Sequence, residues 1–542
     1  MRVSVFSGVV LAACQWSVAN AQQASFAWQK PVEEQHYEFE WPIRKVAIIG
    51  AGVGGLVAYR ELAQAGFDVR VFERDHAPGG NWHYSDQKPP VVDIPNVAPV
   101  DSDYVPDIPD ALPHGEVYLD SSADDTEERI RNHRGPKPTW ASLDTNTPSV
   151  LQEIPGFKWP ARVPLATDWH HVQRYLRAFA SWHDINVNDD GPISYNTRVD
   201  RVEKRADGKG WTLTLKELVQ TGDHTAKASW YTEDFDAVVI ASGRFNGPSV
   251  PDIAGLAEFS KKFPGRIIHS REYRRPAEYE DQTVLVVGAG SSAVGIARDI
   301  IHSAKQVLQS IRRPTDPLRR YNLSTLPANA TVIPTIDSID VGRADSPSDA
   351  RIHLSNGTVI SGVDRIVLAT GFRYTYPYLP QYHQSDKLLN NHPLVTDGTH
   401  VQSLFLDLFY IEEPTIGFIN VNERIPTFSH SSLTASALAS VWAGRAKLPN
   451  TEEQWRLHGE YVQRRGGYDK EFQRLPPDVL QERKRLFVAW LNDAAVQYGG
   501  PLVTAYDDHA EIMKLWQAAR YNNTFDVLYG EQKSSEVAAF IG

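Results

Sequence analysis

Short apolar runs alternate with glycine-rich turns and amphipathic stretches along much of this chain. Val46-Ala47-Ile48-Ile49 is a continuous apolar run, which is typical of a strand buried on both faces of a parallel sheet. Leu56 to Ala65 has helical spacing and good helix formers, and Val69 to Phe72 predicts a second strand. Residues 44–73 are therefore predicted to form a strand, a turn, a helix and a strand.

The same order of elements returns about 240 residues further along the chain. Residues 284–287 predict a strand, residues 292–303 a helix and residues 307–311 the next strand. Further apolar strands are predicted at 236–241 and 365–369. The repetition predicts an α/β fold with two Rossmann-like dinucleotide-binding domains, the second inserted in the first.

The pattern differs outside these units. Residues 84–138 are rich in Pro, Asp and Ser without a sustained period, which predicts an irregular insert on the surface. Trp169 to Trp182 predicts a helix with one apolar face. The charged stretch from Glu452 onward predicts a helical C-terminal tail.

Composition narrows the classes of partner. The chain has 542 residues with 55 Lys and Arg against 67 Asp and Glu, so its formal charge is −12. An acidic chain without a basic stripe disfavours nucleic acid as a partner. Cys14 is the single cysteine, so the protein itself offers neither a disulfide nor a redox-active cysteine pair.

The first residues resemble a secretory signal peptide. Arg2 is followed by the apolar run Val9 to Cys14, and Ala19-Asn20-Ala21 places small residues where a signal peptidase reads them. We expect cleavage before Gln22, a protein of the secretory pathway (endoplasmic reticulum lumen or secreted), and no transmembrane span after cleavage. Four glycosylation sequons agree with a glycoprotein: Asn322, Asn329, Asn356 and Asn522.

The first glycine motif is Gly50-Ala51-Gly52-Val53-Gly54-Gly55, between the first strand and helix. Gly50 permits the tight turn, Gly52 lets the backbone approach a pyrophosphate, and Gly55 lets helix and strand pack closely. Glu73 ends the second strand, where a carboxylate accepts hydrogen bonds from ribose hydroxyls and repels a 2′-phosphate. This site suits FAD or NAD rather than NADP.

Gly79-Gly80-Asn81-Trp82 follows this unit. Gly80 can bring the backbone near the flavin end of a cofactor, and Trp82 offers a flat wall. An ordinary turn with a core Trp is the alternative.

The second glycine motif is Gly288-Ala289-Gly290-Ser291-Ser292-Ala293, in which Ala takes the third glycine position. Gly288 and Gly290 repeat the turn and the close approach, and the hydroxyls of Ser291 and Ser292 can donate to a phosphate. Arg312 and Arg313 follow the next strand, where an Arg pairs with a 2′-phosphate and favours NADPH over NADH. A solvated basic turn is the alternative.

Two dinucleotide sites indicate that reducing equivalents arrive as hydride from a nicotinamide and reach a flavin. Flavin disulfide reductases share this plan but need a cysteine pair, which the chain lacks. An oxygen-only flavin oxidase and an inactive FAD-binding protein stay open as alternatives. No metal site is expected.

Residues 263–274 match the pattern F-x-G-x-x-x-H-x-x-x-Y-R, and the chain thereby resembles the flavin-containing monooxygenases. Baeyer–Villiger monooxygenases, which oxygenate ketones, carry Trp where this chain has Tyr273. The residues of the segment by themselves predict a turn at Pro264 and Gly265 and a hydrogen bond from His269 between the two domains.

Three further segments support the resemblance. Leu143-Asp144-Thr145-Asn146-Thr147-Pro148 is similar to a family segment whose Asn points at the flavin near the site of oxygen reaction, which makes Asn146 the candidate catalytic residue. A local turn satisfied by Asn146 itself is the alternative. Ala369-Thr370-Gly371-Phe372 and Ala241-Ser242-Gly243 are similar to the family's two linkers, so Thr370 and Gly371 are candidate cofactor contacts.

The resemblance implies an NADPH-dependent flavin monooxygenase that oxygenates a soft nitrogen or sulfur centre of a small molecule or peptide with molecular oxygen. Baeyer–Villiger oxygenation of a ketone stays open. The expected domains are a signal peptide at 1–21, an FAD-binding domain at 42–248 and 367–450, an NADPH-binding domain at 249–366, and a helical C-terminal region at 451–542.

Overall fold

A computed structural model describes residues 36–186, 191–312, 322–323, 325–327, 329–384 and 392–521. The predicted signal peptide, Arg313 and Asn522 lie outside these ranges. Nine α-helices are formed within the described ranges: α1 Val53–Ala65, α2 Ala123–Arg134, α3 Trp169–Trp182, α4 Leu256–Lys262, α5 Ser291–Ile300, α6 Thr427–Trp442, α7 Thr451–Arg465, α8 Pro477–Tyr498 and α9 Ala510–Tyr521.

The largest sheet has seven strands. In spatial order they are β19 Leu404–Phe405, β20 Phe409–Tyr410, β21 Ile416–Phe418, β8 Ala237–Ile240, β1 Lys45–Ile49, β2 Asp68–Phe72 and β4 Ile193–Ser194. β1 pairs in parallel with both neighbours, with Val46 opposite Val69 on β2 and Ala237 on β8. The sheet therefore joins strands from two distant parts of the chain.

Both faces of this sheet are covered, which explains the continuous apolar runs. Val46 and Ile48 pack into a core formed with α1, α3, α6 and α8. Ala47 and Ile49 point the other way and pack against the strands β5 Thr197–Lys204 and β6 Trp211–Gly222. Because successive side chains alternate between faces, every residue of such a strand must be apolar.

The second sheet is parallel throughout and has five strands. In spatial order they are β10 Ile267–His269, β17 Arg365–Leu368, β11 Thr283–Val287, β12 Gln306–Ser310 and β13 Thr331–Ile333. All five lie in sequence between β8 and β19 of the first sheet, so the predicted α/β class with one Rossmann-like domain inserted in another is confirmed. The predicted boundary at 366 falls inside β17, which continues to Leu368.

Smaller sheets complete the domains. They are an antiparallel sheet of β3 His114–Leu119, β7 Thr225–Phe235, β6 and β5; a three-stranded sheet of β14 Ile336–Asp340, β15 Arg351–Leu354 and β16 Val359–Ile360; and the pair β9 Gly247–Pro248 with β18 Phe372–Arg373. The last pair joins the two linkers between the domains.

The prediction that residues 84–138 are irregular throughout is wrong, because this stretch contains β3 and α2. β3 is an edge strand with mostly exposed side chains, so it carries no apolar alternation. In α2 only Thr126, Ile130 and His133 are buried, so its apolar face was too narrow to recognise. Ser122 caps the helix by accepting the backbone N–H of Asp125.

The C-terminal region is helical as predicted, with α7, α8 and α9 spanning most of residues 451–521. Trp490 and Leu491 of α8 pack into the core that covers the first sheet. Among the helices in the described ranges, none combines the length and apolar content needed to span a bilayer.

Candidate active site

One cleft of about 2100 Å³ contains both glycine motifs. Its lining includes nearly all candidate residues: Gly50, Gly52, Glu73, Gly80, Trp82, Asn146, Gly288, Gly290, Ser291, Ser292, Arg312, Thr370 and Gly371. Gly55 lies behind the first turn, and Arg313 is outside the described residues. The structure thus brings together side chains that are up to about 320 residues apart in sequence.

The first glycine turn leaves no room for side chains at two positions. Gly50 has φ of +102°, and a Cβ there would lie 2.8 Å from the carbonyl oxygen of Ala241. A Cβ at Gly55 would lie 1.8 Å from the carbonyl oxygen of Gly50, so α1 approaches β1 as closely as the motif predicts. Gly52 caps α1 and leaves the first amides of the helix free toward the cleft.

Glu73 is buried at the end of β2 beside this turn. One carboxylate oxygen accepts the N–H of Ala51 at 2.7 Å, and the other accepts the N–H of Asp75 at 2.9 Å. These two bonds fix the carboxylate at the cleft wall. Each oxygen retains a lone pair, which is what acceptance of a ribose hydroxyl requires.

The Gly79–Trp82 turn rests directly on the first motif. Gly79 donates its N–H to the carbonyl of Ala51 at 3.0 Å. Gly80 has φ of +54°, and a Cβ there would lie 2.9 Å from the Cα of Gly52. Trp82 is half-buried: it packs against the core of the first domain and also lines the cleft.

Asp75, His76 and His83 bracket this turn and form the one group of metal-ligating type found in the described ranges. Asp75 accepts hydrogen bonds from the Nδ1 atoms of His83 at 2.6 Å and His76 at 2.9 Å. Burial raises the pKa of Asp75, but these hydrogen bonds outweigh burial and leave the pKa well below its usual range. Asp75 therefore ties the two ends of the turn together.

Asn146 and Thr145 are neighbours in one turn but differ in burial and hydrogen bonding. Thr145 is buried, donates its hydroxyl to the carbonyl of Thr147 at 2.8 Å and its N–H to the carbonyl of Thr167 at 2.8 Å. Asn146 is exposed to the cleft. The bonds of Thr145 therefore hold the turn, and the Asn146 side chain is exposed in the cleft.

The second glycine turn repeats the first. Gly288 has φ of +130°, and a Cβ there would lie 2.3 Å from the carbonyl oxygen of Ala369. Gly290 caps α5, no atom lies within 4 Å of where its Cβ would be, and Ser291 and Ser292 begin the helix at the cleft. Arg312 is exposed just after β12. Open backbone amides and hydroxyls here suit a phosphate.

Asn322, one of the four sequons, lies in this site. Its side-chain Nδ2 donates to the carbonyl of Ala289 at 3.0 Å, and the residue lines the cleft. A glycan on that nitrogen would displace the bond and fill the nucleotide site, so the structure argues against glycosylation at Asn322. Asn329 and Asn356 are exposed.

The segment 263–274 contacts both linkers. His269 accepts the N–H of Arg271 at Nδ1, so its Nε2–H donates to the carbonyl of Gly371 at 3.0 Å. Arg271 donates to the carbonyl of Asn246 at 3.1 Å in the first linker. Burial, and then the charge of Arg271, lowers the pKa of His269 to about 3, so the imidazole is neutral. The hydrogen bond between domains predicted for His269 is present.

Thr370 and Gly371 connect the two linkers. The Thr370 hydroxyl donates to the carbonyl of Ser249 in the first linker. The carbonyl of Gly371 accepts the N–H of Ser249 at 3.0 Å as well as the imidazole of His269. These residues join the linkers, and they line the cleft at the same time.

Several cleft residues carry no motif in the sequence. Arg74 donates to both oxygens of Asp103 at 3.1 Å and to the side chain of Asn246 at 3.1 Å. Lys137 is buried, and burial followed by the charge of Arg74 lowers its pKa. Lys470 reaches the cleft from the loop between α7 and α8. Of these residues, only Arg74 has a signal in the sequence, because it directly follows Glu73 at the end of the second strand.

The residues present fit two dinucleotides. The first site consists of a glycine turn with no room for side chains, the free amides at the start of a helix, and a carboxylate, Glu73, at the end of the next strand. The second site has a similar turn and helix but no carboxylate at the end of the next strand. FAD at the first turn would lie against Gly80 and Trp82. NADPH at the second would meet Gly290, Ser291 and Arg312.

Comparisons with known proteins agree with this geometry. The family described as "Flavin-binding monooxygenase-like" matches residues 131–339, and "NAD(P)-binding Rossmann-like domain" matches residues 48–103. Flavin-containing monooxygenase iboF of Amanita muscaria (strain Koide BX008) is 46% identical over 504 residues, covering 87% of this chain and 92% of that protein.

Two more distant proteins share the pattern. Thiol-specific monooxygenase of Saccharomyces cerevisiae (strain ATCC 204508 / S288c) is 27% identical, covering 75% of this chain and 79% of that protein. The structure of S-allyl-L-cysteine S-oxygenase from Allium sativum superposes with a TM-score of 0.66 at 21% identity, covering 92% of this chain and 97% of that chain, which shows a common fold.

Three findings lead to one assignment. Two glycine turns open into one cleft, the segment 263–274 joins the two linkers, and a known monooxygenase is 46% identical over most of both chains. FAD and NADPH are the cofactors, and the chain is a member of the flavin-containing monooxygenase family of enzymes.

Proposed function

We propose that this monooxygenase draws electrons from NADPH and transfers one oxygen atom from O₂ to a soft nitrogen or sulfur centre of a small molecule or peptide. The observation that carries the proposal is the single cleft that holds both glycine turns and Asn146. Hydride donor, flavin and the site of oxygen transfer must share one enclosed space, since reactive species exposed to bulk water are lost.

FAD, when bound and reduced, supplies the activation of oxygen, so the side chains need do little acid–base chemistry. Asn146, which is exposed in the cleft, would donate a hydrogen bond from its amide to the bound flavin. Trp82 and the Gly79-Gly80 turn line the cleft beside the first glycine turn and would hold the flavin there. The main tasks of the chain are orientation and exclusion of water.

Preference for NADPH over NADH rests on Arg312. It follows β12, the strand after the second glycine helix, where the first site has Glu73. A guanidinium there binds a 2′-phosphate, and the absence of a carboxylate at that place removes the repulsion.

Oxygenation of nitrogen or sulfur, rather than of a ketone, is supported by Tyr273. Its hydroxyl donates to Asp299 of α5 in a buried cluster with Trp140 and Tyr279. A Trp, which the Baeyer–Villiger enzymes carry here, would place an indole N–H instead of that hydroxyl. The thiol-specific monooxygenase and the S-allyl-L-cysteine S-oxygenase are named for sulfur substrates, which favours testing sulfides and thiols first.

The test begins with purified, FAD-loaded protein under anaerobic conditions. NADPH is expected to bleach the flavin absorbance faster than NADH does. Oxygen is then admitted with panels of amines, sulfides and ketones, and the products are identified by mass spectrometry. Oxygenated sulfides or amines would support the proposal. Bleaching by substrate without NADPH would indicate an oxidase, and ketone-derived esters would indicate Baeyer–Villiger chemistry.

We also propose that the protein enters the secretory pathway, on the basis of residues 1–21 alone. Expression of the full chain in a eukaryotic host followed by N-terminal sequencing would test this. A mature terminus at Gln22 supports the proposal, and an intact terminus with protein in the cytosolic fraction contradicts it.

A further inference from the structure

Lys470 lies in a loop of residues 466–476, between α7 and α8, that is fixed in place. Arg465 donates from one nitrogen to the carbonyls of Glu471, Phe472 and Arg474 at 2.7, 3.3 and 2.8 Å. The loop is also bonded to the first domain, because Glu423 donates its N–H to the carbonyl of Gln473 at 2.8 Å. These bonds hold the loop against the first domain.

The Lys470 ammonium lies at the edge of the second sheet. Nζ donates to the carbonyl of Thr370 at 3.3 Å and lies 3.9 Å from where a Cβ of Gly371 would be. The preceding carbonyl, that of Ala369, abuts Gly288 of the second glycine turn. Lys470 therefore lies close to the carboxyl ends of β17 and β11.

The carboxyl ends of β11 and β17 form the topological switch point of the second sheet, where the chain's connections lead to opposite sides. From β11 the chain passes through α5 to β12 on one side, whereas β17 pairs with β11 on the other side. In open α/β sheets, ligands bind in the crevice at the carboxyl end of such a point. The pyrophosphate of a dinucleotide is held there, against the first amides of the helix.

Lys470 is an exposed cation at the cleft. Among the described residues, no carboxylate oxygen lies within 4.0 Å of its Nζ, whereas Arg474 is paired with Glu423 and Glu471 at 2.6 Å each. Partial burial lowers the pKa of Lys470 and the nearby cations Arg474 and Arg312 lower it further, whereas the carboxylates of Glu423 and Glu471 raise it. A phosphate in the crevice would give Lys470 the close anionic partner that no described carboxylate provides.

We propose that Lys470 pairs with the pyrophosphate of the nicotinamide dinucleotide, so that the C-terminal helical region forms part of the second nucleotide site. The inference rests on the proposed use of the second glycine turn for NADPH. Pyrophosphate is common to NADPH and NADH, whereas only NADPH carries the 2′-phosphate assigned to Arg312. Lys470 is therefore a binding residue that does not discriminate between the two nucleotides.

The test uses the full-length, FAD-loaded protein and equilibrium binding of the oxidised nucleotides, so that turnover plays no part. The dissociation constants of NADP⁺ and NAD⁺ are measured by calorimetry for the wild type, Lys470→Gln and Arg312→Gln. Lys470→Gln should weaken both nucleotides by a similar factor, on the order of tenfold, because one charge-assisted bond is lost. Arg312→Gln should weaken NADP⁺ selectively.

Lys158→Gln is the matched control, since Lys158 is exposed, pairs with Glu153 at 2.7 Å and lies outside the cleft. Its dissociation constants should equal those of the wild type, and Lys470→Arg should restore most of the affinity. Unchanged constants in Lys470→Gln, or weakening of NADP⁺ alone, would overturn the inference. A wild type that binds neither nucleotide would instead overturn the proposed function on which the inference rests.

Discussion

At the scale of single residues, the site depends on which of two neighbours is buried. Thr145 is buried and makes the hydrogen bonds of its turn, which leaves the amide of Asn146 exposed in the cleft. Sequence alone left open that Asn146 satisfies its own turn. The observed division of tasks favours a role for Asn146 toward bound cofactor, because a polar group pre-positioned in a cleft needs little reorganisation to act.

We expect Asn146→Ala to keep oxidation of NADPH but to release peroxide in place of oxygenated product. Loss of one donor at a developing charge costs about 10²-fold or more in favourable cases, so product formation should fall by roughly that order. The measurement is the ratio of peroxide to NADPH consumed. Asn356→Ala, in an exposed turn, is the control. An unchanged ratio in Asn146→Ala would remove Asn146 from the proposed mechanism.

His269 predicts a pH dependence of stability. Its pKa is about 3 when folded, against about 6.5 in the unfolded chain. A depressed pKa gives stability that is present above about pH 6.5 and is lost as pH falls toward the folded value. Between about pH 7.5 and about pH 5 this group should remove about 2 kcal/mol from the free energy of unfolding.

The variant His269→Gln lacks this contribution, so its free energy of unfolding should fall less over the same range. Denaturant titrations at each pH give the difference between variant and wild type. His224→Gln, at an exposed histidine in a turn, is the control and should follow the wild type. Parallel curves for His269→Gln and wild type would contradict the buried, neutral state of this imidazole.

At the scale of elements, the contact between β1 and α1 is set by Gly55. The second motif has Ala293 at the corresponding position, whereas at Gly55 even a methyl group would lie 1.8 Å from a carbonyl oxygen. The same spacing motif therefore tolerates different residues, because the distance between helix and strand differs. The elements of the insert show the opposite case, since β3 and α2 form without a recognisable pattern.

Gly55→Ala should displace α1 and open the first nucleotide turn. We expect a loss of about 1–3 kcal/mol in the free energy of unfolding and a lower FAD content after purification. Thermal unfolding and the ratio of flavin to protein absorbance give both quantities. Gly459→Ala in α7 is the control, because nothing lies within 4 Å of its Cβ position and helix propensity should stabilise it by up to about 1 kcal/mol. Full FAD occupancy in Gly55→Ala would contradict the packing argument.

At the scale of the whole molecule, the two domains are held by the segment 263–274. Arg271 is buried and donates to the carbonyl of Asn246 at 3.1 Å and to that of Pro90 at 2.9 Å. Through these bonds it connects the inserted domain with the first linker and with the stretch 84–138. Since each buried carbonyl left without a donor costs about 1–3 kcal/mol, this residue contributes to how the two nucleotide sites are aligned.

Arg271→Met should loosen the linkers and raise the share of NADPH that yields peroxide. Limited proteolysis with chymotrypsin should be faster after Phe245, just before β9, and after Phe372, the first residue of β18. Arg351→Met is the control, because Arg351 and Asp340 form an exposed ion pair whose loss changes stability little. If cleavage and coupling match the wild type in Arg271→Met, the domains are aligned by other contacts.

The sequence by itself determined the two glycine turns, the strands beside them, the inserted domain and the cofactors. These features are local, because a phosphate-binding turn needs particular backbone angles within a few residues, and buried parallel strands need unbroken apolar runs. The segment 263–274 was also recognisable, although its spacing did not reveal its bonding partners.

Only the tertiary structure decided which side chains meet in the cleft. The partner of His269 is the carbonyl of Gly371, 102 residues away, and that of Lys470 is the carbonyl of Thr370, 100 residues away. Nor could spacing show that Thr145 rather than Asn146 holds its turn, or that Asn322 lies in a nucleotide site. Such contacts depend on how whole layers pack, and the packing is fixed by the combined burial of many residues rather than by any one motif.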